Sequence, residues 1–96
     1  MSRRHYLVTY DVADDRRRDL VFRLLEDNGD HVQYSVFYCE LNESERVVME
    51  ASLKEVINHA DDQVLILDLG QGTAPLESAL RTLGKNYVPP CRVQVV

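Results

Sequence analysis

His5–Asp11 (HYLVTYD) is a run of β-branched and aromatic side chains, apolar on both faces for most of its length. Such a run reads as a strand with neighbours on either side, so the chain must build a sheet around it. A carboxylate, Asp11, ends the run. Asp14 or Asp15 can then cap a helix, since acids suit a helix N-terminus. Leu20, Val21, Leu24 and Leu25 recur at helical spacing. Gly29 is expected to stop that helix at the C′ position.

The apolar period then returns to two. In His31–Leu41 (HVQYSVFYCEL), Val32, Tyr34, Val36 and Tyr38 fall on one face and Gln33, Ser35, Phe37 and Cys39 on the other. The stretch is long for one strand. It fits either a single bent strand or two short ones broken near Ser35. Asn42 and Glu45 have the spacing of a capping box. They predict a helix to about His59, with Met49, Leu53, Val56, Ile57 and Ala60 on one stripe. Asp61-Asp62 breaks it, and Gln63–Leu69 (QVLILDL) reads as a buried strand with one polar intrusion, Asp68. Residues 70–73 form a turn, Pro75–Leu83 a short helix stopped by Gly84, Pro89-Pro90 a rigid spacer, and Cys91–Val96 a terminal strand.

The order β-α-β(β)-α-β fits an α+β sandwich of the ferredoxin-like kind in one domain spanning residues 1–96. The apolar terminal strand lies outside that unit, and an exposed edge strand invites pairing. Pairing with the sheet of a second copy predicts a two-fold homodimer. No apolar run approaches the length of a membrane span, and the first residues run straight into strand pattern, so neither a membrane segment nor a signal peptide is expected. Cys39 and Cys91 are too few for a disulfide scaffold or a zinc site, and a cytoplasmic, reducing setting is expected.

The net charge of −5 excludes a generic cationic nucleic-acid coat. The charge is uneven, however. Residues 1–23 carry six arginines against four acids, while the remainder carries five bases against twelve acids. The arginine-rich end fits either a solvated helix face or bidentate phosphate contacts.

Three groups could carry chemistry. Tyr10-Asp11 closes the first strand. Asp11 either bonds loop amides there or serves as a hard oxygen ligand for Mg²⁺. One carboxylate makes a poor metal site, but a two-fold axis passing near Asp11 would supply a second. Such an ion could activate water against a phosphodiester. Arg16, Arg17 and Arg18 start the first helix beside it, positioned to hold phosphate or to face solvent. Gln33, Ser35 and Phe37 share a predicted strand face, where Ser35 and Gln33 could touch a nucleic-acid backbone and Phe37 could stack on a base or pack the sheet. The histidines His5, His31 and His59 show no ligand spacing, and Gly70-Gln71-Gly72 lacks the Gly-Lys-Ser/Thr of a phosphate loop.

Tyr10-Asp11-Val12, the Arg16–Arg18 helix start, Gly29 and Val32-Gln33-Tyr34-Ser35-Val36-Phe37, in that order and spacing, resemble the small CRISPR-associated adaptation protein, the second of the two core adaptation proteins. The resemblance covers essentially the whole chain. It implies a ferredoxin-like homodimer with exchanged C-terminal strands, bridging dimers of the CRISPR integrase in a spacer-acquisition complex that binds duplex DNA. It also implies a Mg²⁺-dependent endonuclease acting on single-stranded RNA or double-stranded DNA. Asp11 matches the metal-binding position, and Tyr10, Arg17, Arg18, Ser35 and Phe37 match site or substrate positions, with Arg16 a one-residue alternative among the arginines. A catalytically silent DNA-binding scaffold and a related RNA-cleaving toxin are the other readings the resemblance supports.

Overall fold

The computed structural model describes residues 3–72 and 76–88. Strand β1 (Arg4–Asp11) leads into helix α1 (Asp15–Glu26), the hairpin β2 (Asp30–Gln33) and β3 (Val36–Leu41), helix α2 (Glu43–Val56), strand β4 (Gln63–Gln71) and one turn of helix, α3 (Leu76–Ala79). The sheet order is β2-β3-β1-β4, with every neighbouring pair antiparallel. β1 is therefore central, as its apolar pattern predicts. The expected terminal strand Cys91–Val96, the Pro89-Pro90 spacer and Pro75 lie outside the described residues.

One face of the sheet is covered by α1 and α2. Tyr6, Val8 and Tyr10 of β1 and Phe37, Cys39 and Leu41 of β3 meet Val21 and Leu25 of α1 and Met49 and Leu53 of α2. Cys39 is fully buried, and burial pushes its thiol up to about 11, so it stays a protonated apolar filler. On the other face, no helix of the described residues covers β4, and Leu65 and Leu67 remain about half exposed.

The His31–Leu41 stretch is two strands. Gln33 pairs with Val36, and Tyr34-Ser35 turns the chain, with Tyr34 at φ 33°. The pairing also slips between His31 and Gln33. Gln33 consequently shares a face with Val36 and not with Phe37, which corrects the expected Gln33–Ser35–Phe37 face.

Gly29 has a different task from the one expected. α1 closes on Asp27, and a Cβ at Gly29 would lie 2.4 Å from the Tyr38 carbonyl oxygen and 2.6 Å from Cys39 Sγ. Glycine is needed there because α1 returns to the sheet so closely.

α2 begins with the full capping box: Asn42 Oδ1 accepts from the Glu45 amide at 2.8 Å, and Glu45 Oε1 accepts from the Asn42 amide at 2.9 Å. It ends at Val56, three residues before His59, because Asn58 Oδ1 accepts from the amides of Ala60 and Asp61 and turns the chain. β4 continues two residues past Leu69 through a bulge, where Gly70 adopts φ 90°. The intruding Asp68 is held by Arg4 Nε at 3.0 Å and by the Gly70 amide at 2.8 Å. The last predicted helix closes at Ala79, and Leu83 beyond it is almost fully exposed among the described residues.

Candidate active site

Asp11 is the last residue of β1, exposed at the strand's carboxyl end. The strand's antiparallel neighbour brings the hairpin turn to the same place, and the Tyr10 amide donates to the Ser35 carbonyl at 3.1 Å. α1 leaves from the same corner. Asp14 caps it by accepting from the Arg17 amide at 2.9 Å. Helical spacing then turns Asp15, Arg18, Asp19 and Phe22 to one side. Together with Tyr10–Val12, His31, Tyr34 and Ser35 they line a cleft of about 620 Å³.

Within this cleft Asp11 stands apart. Among the described residues its carboxylate makes no hydrogen bond and no ion pair, whereas Asp15 is bound by Arg18 at 2.7 Å and Asp19 by Arg23 at 3.1 Å. The Arg18 guanidinium is held against the Val12 carbonyl at 3.1 and 3.3 Å, one residue from Asp11. The Tyr10 phenol is raised above its ordinary value by burial, against an opposing pull from Arg18.

The three consecutive arginines separate, as a rotation of about 100° per residue requires. Arg18 enters the cleft. Arg17 turns away to Asp62 in the loop before β4, with Nε 2.8 Å from Oδ2 and a terminal nitrogen 3.2 Å from Oδ1. Arg16 is exposed and lines no part of the cleft. Of the three arginines expected to hold phosphate or to face solvent, Arg18 alone lines the cleft. Phe37 also leaves the expected set: it is fully buried, edge-on to Phe22 at 5.3 Å and tilted against Tyr10 at 6.3 Å, and offers no face to a base.

Asp62 is the residue the sequence reading missed. Its side chain is fully inaccessible, and besides Arg17 it accepts from the amides of Ala13 at 3.0 Å and Asn58 at 2.8 Å. These contacts, the Arg17 hydrogen bond foremost, hold its carboxyl well below the usual carboxylate range. Asp62 thereby ties the loop after Asp11 to the loop before β4. The available signal was an Asp four residues after Asn58 at a strand entrance, a loop-capping pattern.

No group of three or more metal-ligating side chains occurs among the described residues. Of the carboxylates lining the cleft, only Asp11 is free of an ion pair or hydrogen bond among the described residues. That suits Mg²⁺, which keeps several waters and takes one or two carboxylates, better than a cation needing a full protein cage.

Fold and cleft together define a ferredoxin-like α+β protein with an acid–arginine corner at the end of its first strand. Residues 4–74 match the family model described as CRISPR associated protein Cas2. The chain is 37% identical over 91 residues to the CRISPR-associated endoribonuclease Cas2 of Geobacter sulfurreducens, covering 95% of each chain. It is 36% identical over 100 residues to the CRISPR-associated endonuclease Cas2 2 of Thermus thermophilus, covering all of both. The crystal structure of Streptococcus pyogenes Cas2 at pH 6.5 superposes with a TM-score of 0.71 at 30% identity, covering 83% of this chain and 99% of that one. The chain belongs to the Cas2 family of CRISPR-associated proteins.

Proposed function

We propose that the chain is a subunit of a metal-assisted endonuclease of CRISPR adaptation, cleaving phosphodiester bonds in single-stranded RNA or duplex DNA. The observation that carries this reading is the free Asp11 carboxylate at the mouth of a cleft that also holds Arg18 and Ser35. The names of the relatives, endoribonuclease and endonuclease, support it. Asp11 is the residue that would hold Mg²⁺, and a second Asp11 from a homodimer partner would complete the pair. Bound there, the ion supplies Lewis acidity at a phosphoryl oxygen and lowers the pKa of water. Arg18 orients phosphate by exchanging its Asp15 contact for a phosphate oxygen, which its planar fork suits. The Ser35 hydroxyl donates to the backbone of the strand being cut. Tyr10, with its raised pKa, stays protonated at neutral pH and serves as a donor, not as a base.

The test incubates the purified protein with labelled single-stranded RNA and with duplex DNA, in Mg²⁺ or in EDTA. Asp11→Ala should lower Mg²⁺-dependent cutting by about a hundredfold or more. Cutting that survives the substitution would overturn the reading. A second reading is a non-catalytic bridge between CRISPR integrase dimers, in which Asp11 only ends β1. A folded dimer that cuts neither substrate yet supports spacer acquisition as Asp11→Ala would decide for it.

A further inference from the structure

The Asp11 cleft does not end at the hairpin. Tyr34 is shared with a second groove of about 650 Å³, which runs between the β2–β3 turn and residues 80–88. Gln33, Arg81, Lys85, Asn86 and Tyr87 line it with Tyr34. Arg81 and Lys85 are exposed, and neither joins an ion pair among the described residues.

Tyr34 itself is unusual on two counts. Its side chain is 88% exposed, with no ring contact among the described residues. Its backbone lies at φ 33°, where a bulky residue is an outlier and where hairpins ordinarily use Asn or Gly. The turn is buttressed nonetheless. His31 Nε2 donates to the Tyr34 carbonyl at 2.5 Å, and the His31 ring packs on Phe22 at 5.1 Å and Phe37 at 4.9 Å. A strained residue held this firmly, with its ring left in water at the junction of two grooves, points to a ligand for that ring.

We propose that Tyr34 is the stacking platform for a base of a single-stranded nucleic acid, whose backbone runs from Arg18 in the Asp11 cleft towards Arg81 and Lys85. Aromatic faces bind unstacked bases, and cationic side chains follow the phosphates. Duplex bases are already stacked on their neighbours, so the platform selects a single strand. The inference rests on the endonuclease reading and assigns the aromatic contact of its single-stranded substrate. It also explains why the buried Phe37 is not needed for stacking.

Binding is read in EDTA, by anisotropy with a labelled single-stranded RNA and by the quenching of 2-aminopurine placed along the strand. Tyr34→Gly removes the ring and suits the left-handed backbone, so the melting temperature should hold or rise. It should weaken single-strand binding by about tenfold or more and abolish the quenching. Tyr34→Phe keeps the ring and should stay within about twofold of wild type. Duplex DNA of the same sequence should bind both variants alike. Wild-type quenching in Tyr34→Gly, an equal loss on duplex and single strand, or no single-strand binding by the wild type would each overturn the proposal. Cleavage is scored separately in Mg²⁺, so failure of the catalytic reading shows as normal binding without products.

Discussion

Asp62 carries a fixed charge out of water, and its surroundings decide what that does to stability. Its carboxylate is held by Arg17 and two backbone amides, and its pKa lies below the ordinary value. A depressed folded-state pKa contributes stability in full above the unfolded value, near ~3.9. That contribution erodes as the pH falls below this value and is gone once the pH passes the folded one. Asp62→Asn should therefore lower the melting temperature at neutral pH, and the gap from wild type should shrink steadily below about pH 4. A gap of constant size down to pH 2 would show that the ion pair does not supply it. Phe37 makes the complementary case. It is fully buried, so Phe37→Ala should cost about 3–5 kcal/mol in urea unfolding. The milder Phe37→Leu should leave nucleic-acid affinity unchanged while it stays folded. That Asp11, Tyr10, Arg18 and Ser35 come together at one corner was legible in the sequence, because each lies within a few residues of a strand or helix end. The contacts of Arg17 with a loop 45 residues away and of Phe37 with the underside of α1 were not legible, because they depend on tertiary contacts that local spacing does not encode.

Elements were legible where a period was strong and a cap was chemical. β1, α1, the Asn42–Glu45 start of α2 and the body of β4 fall where the apolar spacing puts them. Between one bent strand and two broken near Ser35, the sequence left His31–Leu41 undecided, because the turn is made by Tyr34-Ser35 without glycine and is stabilised by His31 of β2. The end of α2 was set by Asn58, whose side chain competes for the amides beyond the helix. Two substitutions weigh these devices. Asn42→Ala removes the N-cap acceptor of α2 and should cost about 1 kcal/mol, a fall of roughly 4–8 °C in melting temperature for a domain this size. Gly29→Ala should cost more than a helix stop normally does. The added methyl meets the Tyr38 backbone, which cannot move without disturbing β3. If Gly29→Ala proves as stable as wild type, the close approach is not a constraint.

At the scale of the whole molecule, the helices cover only one face of the sheet. On the other, Leu65 and Leu67 stand 47% and 48% exposed beside Leu7 and Thr9 of β1, with Leu69 of the same edge strand 55% exposed. Among the described residues this apolar face ends in an edge strand with no further neighbour, and such a surface invites association. The proposed homodimer would cover it, and the paired-Asp11 reading needs that second copy, because one chain holds a single free carboxylate in its cleft. Oligomeric state and activity are thus coupled in a way that separates the two explanations of Asp11. Leu65→Lys with Leu67→Lys places two charges on the open face without touching the helix-side core or the cleft. Light scattering after size exclusion should find the wild type as a dimer and this variant as a folded monomer. If the active unit is the pair, the monomer should lose Mg²⁺-dependent cleavage despite an intact Asp11, Arg18 and Ser35. It should still quench a 2-aminopurine strand through Tyr34, since that groove is built within one chain. A monomer that cuts at the wild-type rate would instead mean that one Asp11 suffices, with waters completing the coordination of the ion.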